Sequence, residues 1–142
     1  MEDMRAPTFL TFSLGITKCF LIRCDGGYLL IDTSTRNTYS KFRKELEKNA
    51  VKLSQIKYVF LTHHHTDHTG FLKRLIDESK AILIVHRNAL SFLASGVNNK
   101  EMTGNTGLVC FLMRLQHFFG LARVNEAVIA DKNDITLDSD NN

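Results

Sequence analysis

The stretch Thr62–Gly70, THHHTDHTG, holds four of the chain's six histidines and an aspartate. In extended backbone, residues two apart project to the same side, so His63 and His65 can converge on one point while His64 turns away. On a helix the same pair would lie about 200° apart and could not share an ion. Asp67 and His68 come where the chain turns, and can aim at a second point a few ångströms from the first. Neutral imidazoles with a carboxylate suit zinc, iron or manganese. Gly70 lets backbone pass close by. A solvated histidine-rich loop is the plainer alternative, but an expression tag would be a terminal run, not an internal mixed motif. His64 is read as an exposed spacer.

Such a loop needs a rigid strand to hang from. IKYVFLT, ending at Thr62, is a continuous apolar run and is expected to be a strand buried on both faces. Phe71, Leu72, Leu75 and Ile76 recur at helical spacing, and AILIVH, residues 81–86, makes a second strand. Strand, loop, helix and strand in that order form a βαβ unit with the two strands parallel and adjacent. In open α/β sheets, ligands gather at the carboxyl ends of parallel strands, which is where this loop falls.

Upstream, CFLIRCDGGYLLIDT reads as two strands joined by a tight turn at Asp25-Gly26-Gly27. A helix is expected from about Thr38 to Asn49, with Tyr39, Phe42, Leu46 and Ala50 on one face and Asn37 or Thr38 as cap. Downstream come a short helix in RNALSFLASG, a polar loop VNNKEMTGNTG that could serve as a lid, and an apolar helix from Leu108 to about Leu121. One short strand is expected in the remaining polar tail.

At 142 residues, 44% hydrophobic and 23% charged, the chain reads as a single domain, 1–142, with a real core. Its net charge is +3. Lys41, Arg43, Lys44 and Lys48 are interrupted by Glu45 and Glu47, a solvated helix face rather than a nucleic-acid stripe. No window is long and apolar enough for a membrane span, and no secretory signal is visible. Cys19, Cys24 and Cys110 have no framework spacing, so reduced thiols in the cytoplasm are expected.

THHHTDHTG matches the T-H-x-H-x-D-H-x-G signature of the metallo-β-lactamase superfamily, and the chain resembles that family from about Phe9 to Asp138. LLIDTS is similar to the family's strand ending in Asp-Thr-Gly, with Ser34 in the glycine's place. LSQIKYVFL, AILIVHRN and ADKNDITLD resemble the family's lead-in and later strands. The resemblance implies an α/β fold, the N-terminal half of an αββα sandwich. It implies two divalent ions, zinc foremost with iron or manganese as alternatives, and partial occupancy here. His63 and His65 would bind the first ion, Asp67 and His68 the second. Asp32 would orient the ligands by hydrogen bonds, and Asp67 would also be the catalytic proton acceptor. The reaction implied is attack by metal-activated water on a small-molecule thioester, lactone, lactam or phosphodiester.

Each ion would still lack a ligand, because the family's later Pro-Gly-His, aspartate and histidine motifs are not found. His117 sits in a helix-like stretch and is not read as a ligand. His86, at the same sheet edge as the loop, is either a support for the site or a cap for the next helix. The sequence is therefore read as a truncated half that pairs with a second copy or a complementary chain through an apolar face. Two other functions stay open: a non-catalytic metal-binding or assembly module, and an iron-dependent oxidoreductase.

Overall fold

The computed structural model describes residues 7–95 and 126–138. The apolar stretch Leu108–Leu121, with Cys110 and His117, and the polar stretch VNNKEMTGNTG lie outside them.

Alternating apolar residues from Phe9 onward build a six-stranded sheet in sequence order. β1 (Phe9–Leu14), β2 (Thr17–Cys24) and β3 (Gly27–Ile31) are antiparallel neighbours. The expected turn between β2 and β3 is present, with Gly26 at a φ of 75° that favours glycine. β1 was not anticipated. It pairs from Leu14↔Thr17 outward across a second turn, at Gly15 (φ 81°), that the surrounding residues do not advertise.

β4 (Ile56–Phe60), β5 (Ile82–His86) and β6 (Ile135–Leu137) continue the sheet in parallel from β3. Between them run α1 (Tyr39–Lys48), a single turn α2 (Thr66–Thr69), α3 (Leu72–Ser79) and α4 (Leu90–Ser95). The βαβ unit is thus as expected. The cap of α1 is not: Thr38 occupies the position, but its hydroxyl donates back to the Thr35 carbonyl instead of bonding the helix N-H groups. Ala50, expected on the apolar face of α1, lies past the helix end, exposed at a φ of 56°.

One face of the sheet carries the core. Phe12, Leu14, Leu21, Leu30, Val59, Leu61, Leu83 and Val85 are buried there. α1 and α3 cover it through an aromatic cluster: Phe12, Tyr39 and Phe71 all pack around Phe42, with ring centroids 5.1–6.2 Å apart. Burying each such ring is worth about 1.5–3 kcal/mol. The opposite face departs from the expectation of a strand buried on both sides. Phe20, Ile22, Leu29, Ile31, Tyr58 and Phe60 are only half-buried on it. Phe9, Ile135 and Leu137, at its margins, are 55%, 44% and 41% exposed. The unbroken apolar run of β4 reflects two apolar faces, only one of which is packed by the helices described. No helix among the described residues is long and apolar enough to cross a membrane.

Candidate metal centre

Two buried residues fix where the histidine loop leaves and rejoins the core. Leu61, 2% exposed, closes β4 and donates its N-H to the Ile84 carbonyl. Phe71, also 2% exposed, seats the other end in the aromatic cluster. Just before Phe71, a Cβ on Gly70 would stand 2.4 Å from the Arg36 nitrogen and 2.5 Å from the Ser34 carbonyl oxygen. The close approach assigned to Gly70 is therefore to the segment after β3, and no larger residue fits.

That segment is the floor of the site. Asp32, Thr33 and Ser34 are buried, and Asp32 has a φ of 57°, a left-handed conformation that aspartate tolerates better than most residues. Its N-H is held by the Phe60 carbonyl at 2.8 Å. Its carboxylate accepts from the Thr62 N-H (2.9 Å), the Thr62 hydroxyl (2.7 Å) and His68 Nδ1 (3.2 Å). The N-H and hydroxyl of Thr33 both donate to the His68 carbonyl, at 2.9 and 2.7 Å. Ser34, where the family pattern has glycine, turns its hydroxyl to the Leu14 carbonyl and Thr17, tying the floor to the β1–β2 hairpin.

These bonds also set the imidazole tautomers. The Thr62 hydroxyl gives its proton to Asp32, so toward His63 Nδ1, 2.8 Å away, it accepts. His63 therefore carries its proton on Nδ1 and leaves Nε2 bare. The carboxylate of Asp32 does the same for His68. A metal ligand needs that state, with the far ring nitrogen free and the near one tethered. Burial, then the neighbouring His68 and His65, hold the His63 pKa below its usual value, which keeps the ring neutral and able to ligate.

The four anticipated ligands come together. Rings of His63 and His65 are 4.7 Å apart and those of His63 and His68 4.0 Å apart. Donor atoms of His63, His65 and Asp67 lie within 4.8 Å of one another, as do those of Asp32, His63 and His68. A tetrahedral zinc with bonds near 2.0–2.1 Å spaces its donors by about 3.4 Å, a contraction within reach of small side-chain rotations. The residues fit a divalent ion. His63 is common to both clusters, and Asp67 lies with His63 and His65 as well as beside His68. Asp67 contacts His68 Nε2 at 3.6 Å. His86 belongs to neither cluster; its Nδ1 accepts the Asn88 N-H and caps the turn before α4.

His64 is not an exposed spacer. Its ring is half-buried and stacks on Phe92 of α4, centroids 4.1 Å apart and planes 10° from parallel. The space beside it, between α2 and α4, is about 10 Å³, room for one water and not for a substrate. Sequence reasoning missed this contact and the tether at Thr62, since neither partner is near its mate in the chain. The basic residues Arg36, Arg43, Lys73 and Arg74 are paired with Glu126, Glu78, Asp77 and Glu78 respectively.

Residues 13–131 match the family model described as the metallo-β-lactamase superfamily. The chain is 37% identical over 81 residues to "Probable metallo-hydrolase YqjP" of Bacillus subtilis, which is 56% of this chain and 24% of that protein. Among solved structures it is similar to the β-lactamase from Chitinophaga pinensis: TM-score 0.67, 19% identity, 99% of this chain and 50% of that one. BJP-1, a subclass B3 metallo-β-lactamase of Bradyrhizobium japonicum, gives a TM-score of 0.67 at 20% identity, covering 98% of this chain and 49% of that one. LRA-12, a di-zinc class B3 enzyme from an Alaskan soil metagenome, gives 0.64 at 20% identity, covering 85% and 39%. At such identities the structures speak for the fold alone. The chain spans about half or less of the length of these relatives.

Proposed function

The chain belongs to the metallo-β-lactamase superfamily, and from that premise we propose that it is the metal-binding half of a metal-dependent hydrolase, a single partial domain. The observation that carries this is the convergence of two three-residue donor clusters on His63. His63, His65 and Asp67 would hold one divalent ion, and His68, oriented by Asp32, would contribute to a second; zinc suits the imidazole-rich set, with iron or manganese as alternatives. Such ions supply an activated water and polarise a carbonyl or phosphoryl oxygen.

The chain's own residues do the rest. Asp32 and Thr62 hold His63 and His68 in the tautomers that leave Nε2 free. Asp67, at the open rim, would take up a proton during turnover. The substrate class we assign is a small thioester, lactone, lactam or phosphodiester. The half-buried apolar sheet face is the surface we assign to a second copy or a complementary chain, and the free thiols of Cys19 and Cys24 suit a reducing, cytoplasmic setting.

A second reading rests on the same donor clusters: a binding or assembly module that holds metal without turnover. Elemental analysis of the purified chain, followed by a panel of those four substrate types before and after chelation, tests both. Bound zinc with chelator-sensitive turnover supports the hydrolase, bound zinc without turnover the module, and iron with oxygen uptake an oxidoreductase. No bound metal ends all three.

A further inference from the structure

Four residues, Thr62 to His65, lie between Leu61, whose N-H still bonds the Ile84 carbonyl, and the first turn of α2, and their backbone is tethered at two points. At the near end, Thr62 is bound by Asp32 through both its N-H and its hydroxyl. At the far end, the His65 carbonyl accepts from the His68 N-H (2.9 Å) and the Thr69 hydroxyl (3.0 Å). His63 and His64 sit between those tethers. The ring of His63 is itself held at Nδ1 by the Thr62 hydroxyl, 2.8 Å away. The side chain between His63 and His65, that of His64, lies flat on Phe92. Phe92 is itself fixed, because α4 carries the buried Leu93, whose carbonyl accepts the Val128 N-H.

We propose that His64 is a positioning residue: its stack on Phe92 is the third tether of the loop, setting the direction in which His63 and His65 project and hence the affinity for a divalent ion. This rests on the metal-binding reading above. The ring acts by shape and not by its nitrogens. His64 Nε2 is buried and has no hydrogen-bond partner among the described residues, so nothing described there calls for a hydrogen bond from this nitrogen. A carbocyclic ring of similar size should do as well, and lose no bond.

The test is zinc titration of the purified chain against a chromophoric chelator, with cobalt substitution to read ligand geometry from its visible spectrum. The variants are His64→Ala, His64→Phe and Phe92→Ala. His64→Ala and Phe92→Ala should each weaken zinc binding by about 10-fold, the size of effect seen when a group orienting a ligand is removed. Both should alter the cobalt spectrum, and the double variant should be no worse than either single one. His64→Phe should stay within about threefold of the native chain, a rescue that general loosening of the fold would not give. Native-like zinc binding in His64→Ala, or a His64→Phe chain as weak as His64→Ala, overturns the proposal. If His64→Ala does not fold, Phe92→Ala and His64→Phe decide it by the same criteria. A native chain that binds no zinc overturns the metal reading and this inference together, an outcome distinct from native zinc binding with an indifferent His64.

Discussion

The floor and the rim of the site are built on opposite terms. Asp32, Thr33 and Ser34 are 5%, 0% and 0% exposed, and each of their side chains is committed to hydrogen bonds that join β3, the loop and the first hairpin. His63, His65, Asp67 and His68 are only half-buried and meet one another. Buried polar groups are costly unless satisfied, so the floor is where mutation should damage the fold. The rim is where mutation should damage chemistry and leave folding alone. Fold and function are carried by adjacent residues but through different interactions, with Thr62 as the joint between them.

The sharpest break of that contrast is Asp32→Ala. It strips partners from the Thr62 N-H, the Thr62 hydroxyl and His68 Nδ1, and leaves an alanine at a φ of 57°. Lost bonds and backbone strain together should cost about 2–4 kcal/mol in urea unfolding. Zinc affinity should fall 10- to 100-fold, about the range for loss of a group that orients a ligand. Asp32→Asn, which tolerates the same backbone, should recover part of the stability and less of the affinity. Native stability in Asp32→Ala would remove the distinction between floor and rim.

Rim substitutions should give the reverse pattern. His63 belongs to both donor clusters, whereas His65 belongs to one. His63→Ala should therefore abolish zinc binding, while His65→Ala keeps His63 and the His68 that Asp32 orients, and retains a weaker equivalent. Neither should change unfolding free energy by more than about 1 kcal/mol, as for other partly exposed sites. Equal zinc content in the two variants, measured by elemental analysis, would show that His63 is not shared.

The contrast also explains what could be read from the sequence. The rim was legible because its residues are consecutive and their spacing alone decides which can share an ion. The βαβ unit was legible for a similar reason: apolar periodicity there is local. Asp32 was reached only through the family's Asp-Thr-Gly strand, since its partners Thr62 and His68 are remote in sequence. The pairing of His64 with Phe92 had no local signal at all, and an H-x-H motif read in isolation makes the middle residue look idle. β1 was missed because Phe9–Leu14 holds polar Thr11 and Ser13 on the outward side of an edge strand, where alternation is easily taken for loop. The one-sided burial of β4 could not be read because an apolar side chain looks the same in sequence whether or not something packs on it.

The smallest effect tests the floor from beneath. Cys19, in β2, is fully buried, and burial first, then the charge of Asp32, pushes its thiol up to about 12 from 9.0. Cys24, at the turn end of the same strand, is half-buried. At pH 8 in the native chain, iodoacetamide should label Cys24 and spare Cys19, because only the thiolate reacts and the buried thiol does not form it. The pH dependence has a definite sign. Above pH 9 the unfolded chain releases the Cys19 proton while the folded chain keeps it, so the fold should lose stability as pH rises from about 9 toward 12 and gain nothing from this group below 9. The slope is at most about 1.4 kcal/mol per pH unit. A Cys19→Ala chain should lack this contribution, and its stability should fall less steeply between pH 9 and 10. Asp32→Asn should flatten the same slope only slightly, because it removes the charge and leaves the burial. If Asp32→Asn flattens it as fully as Cys19→Ala does, the floor's field on Cys19 outweighs burial, and the ranking of the two causes must be reversed.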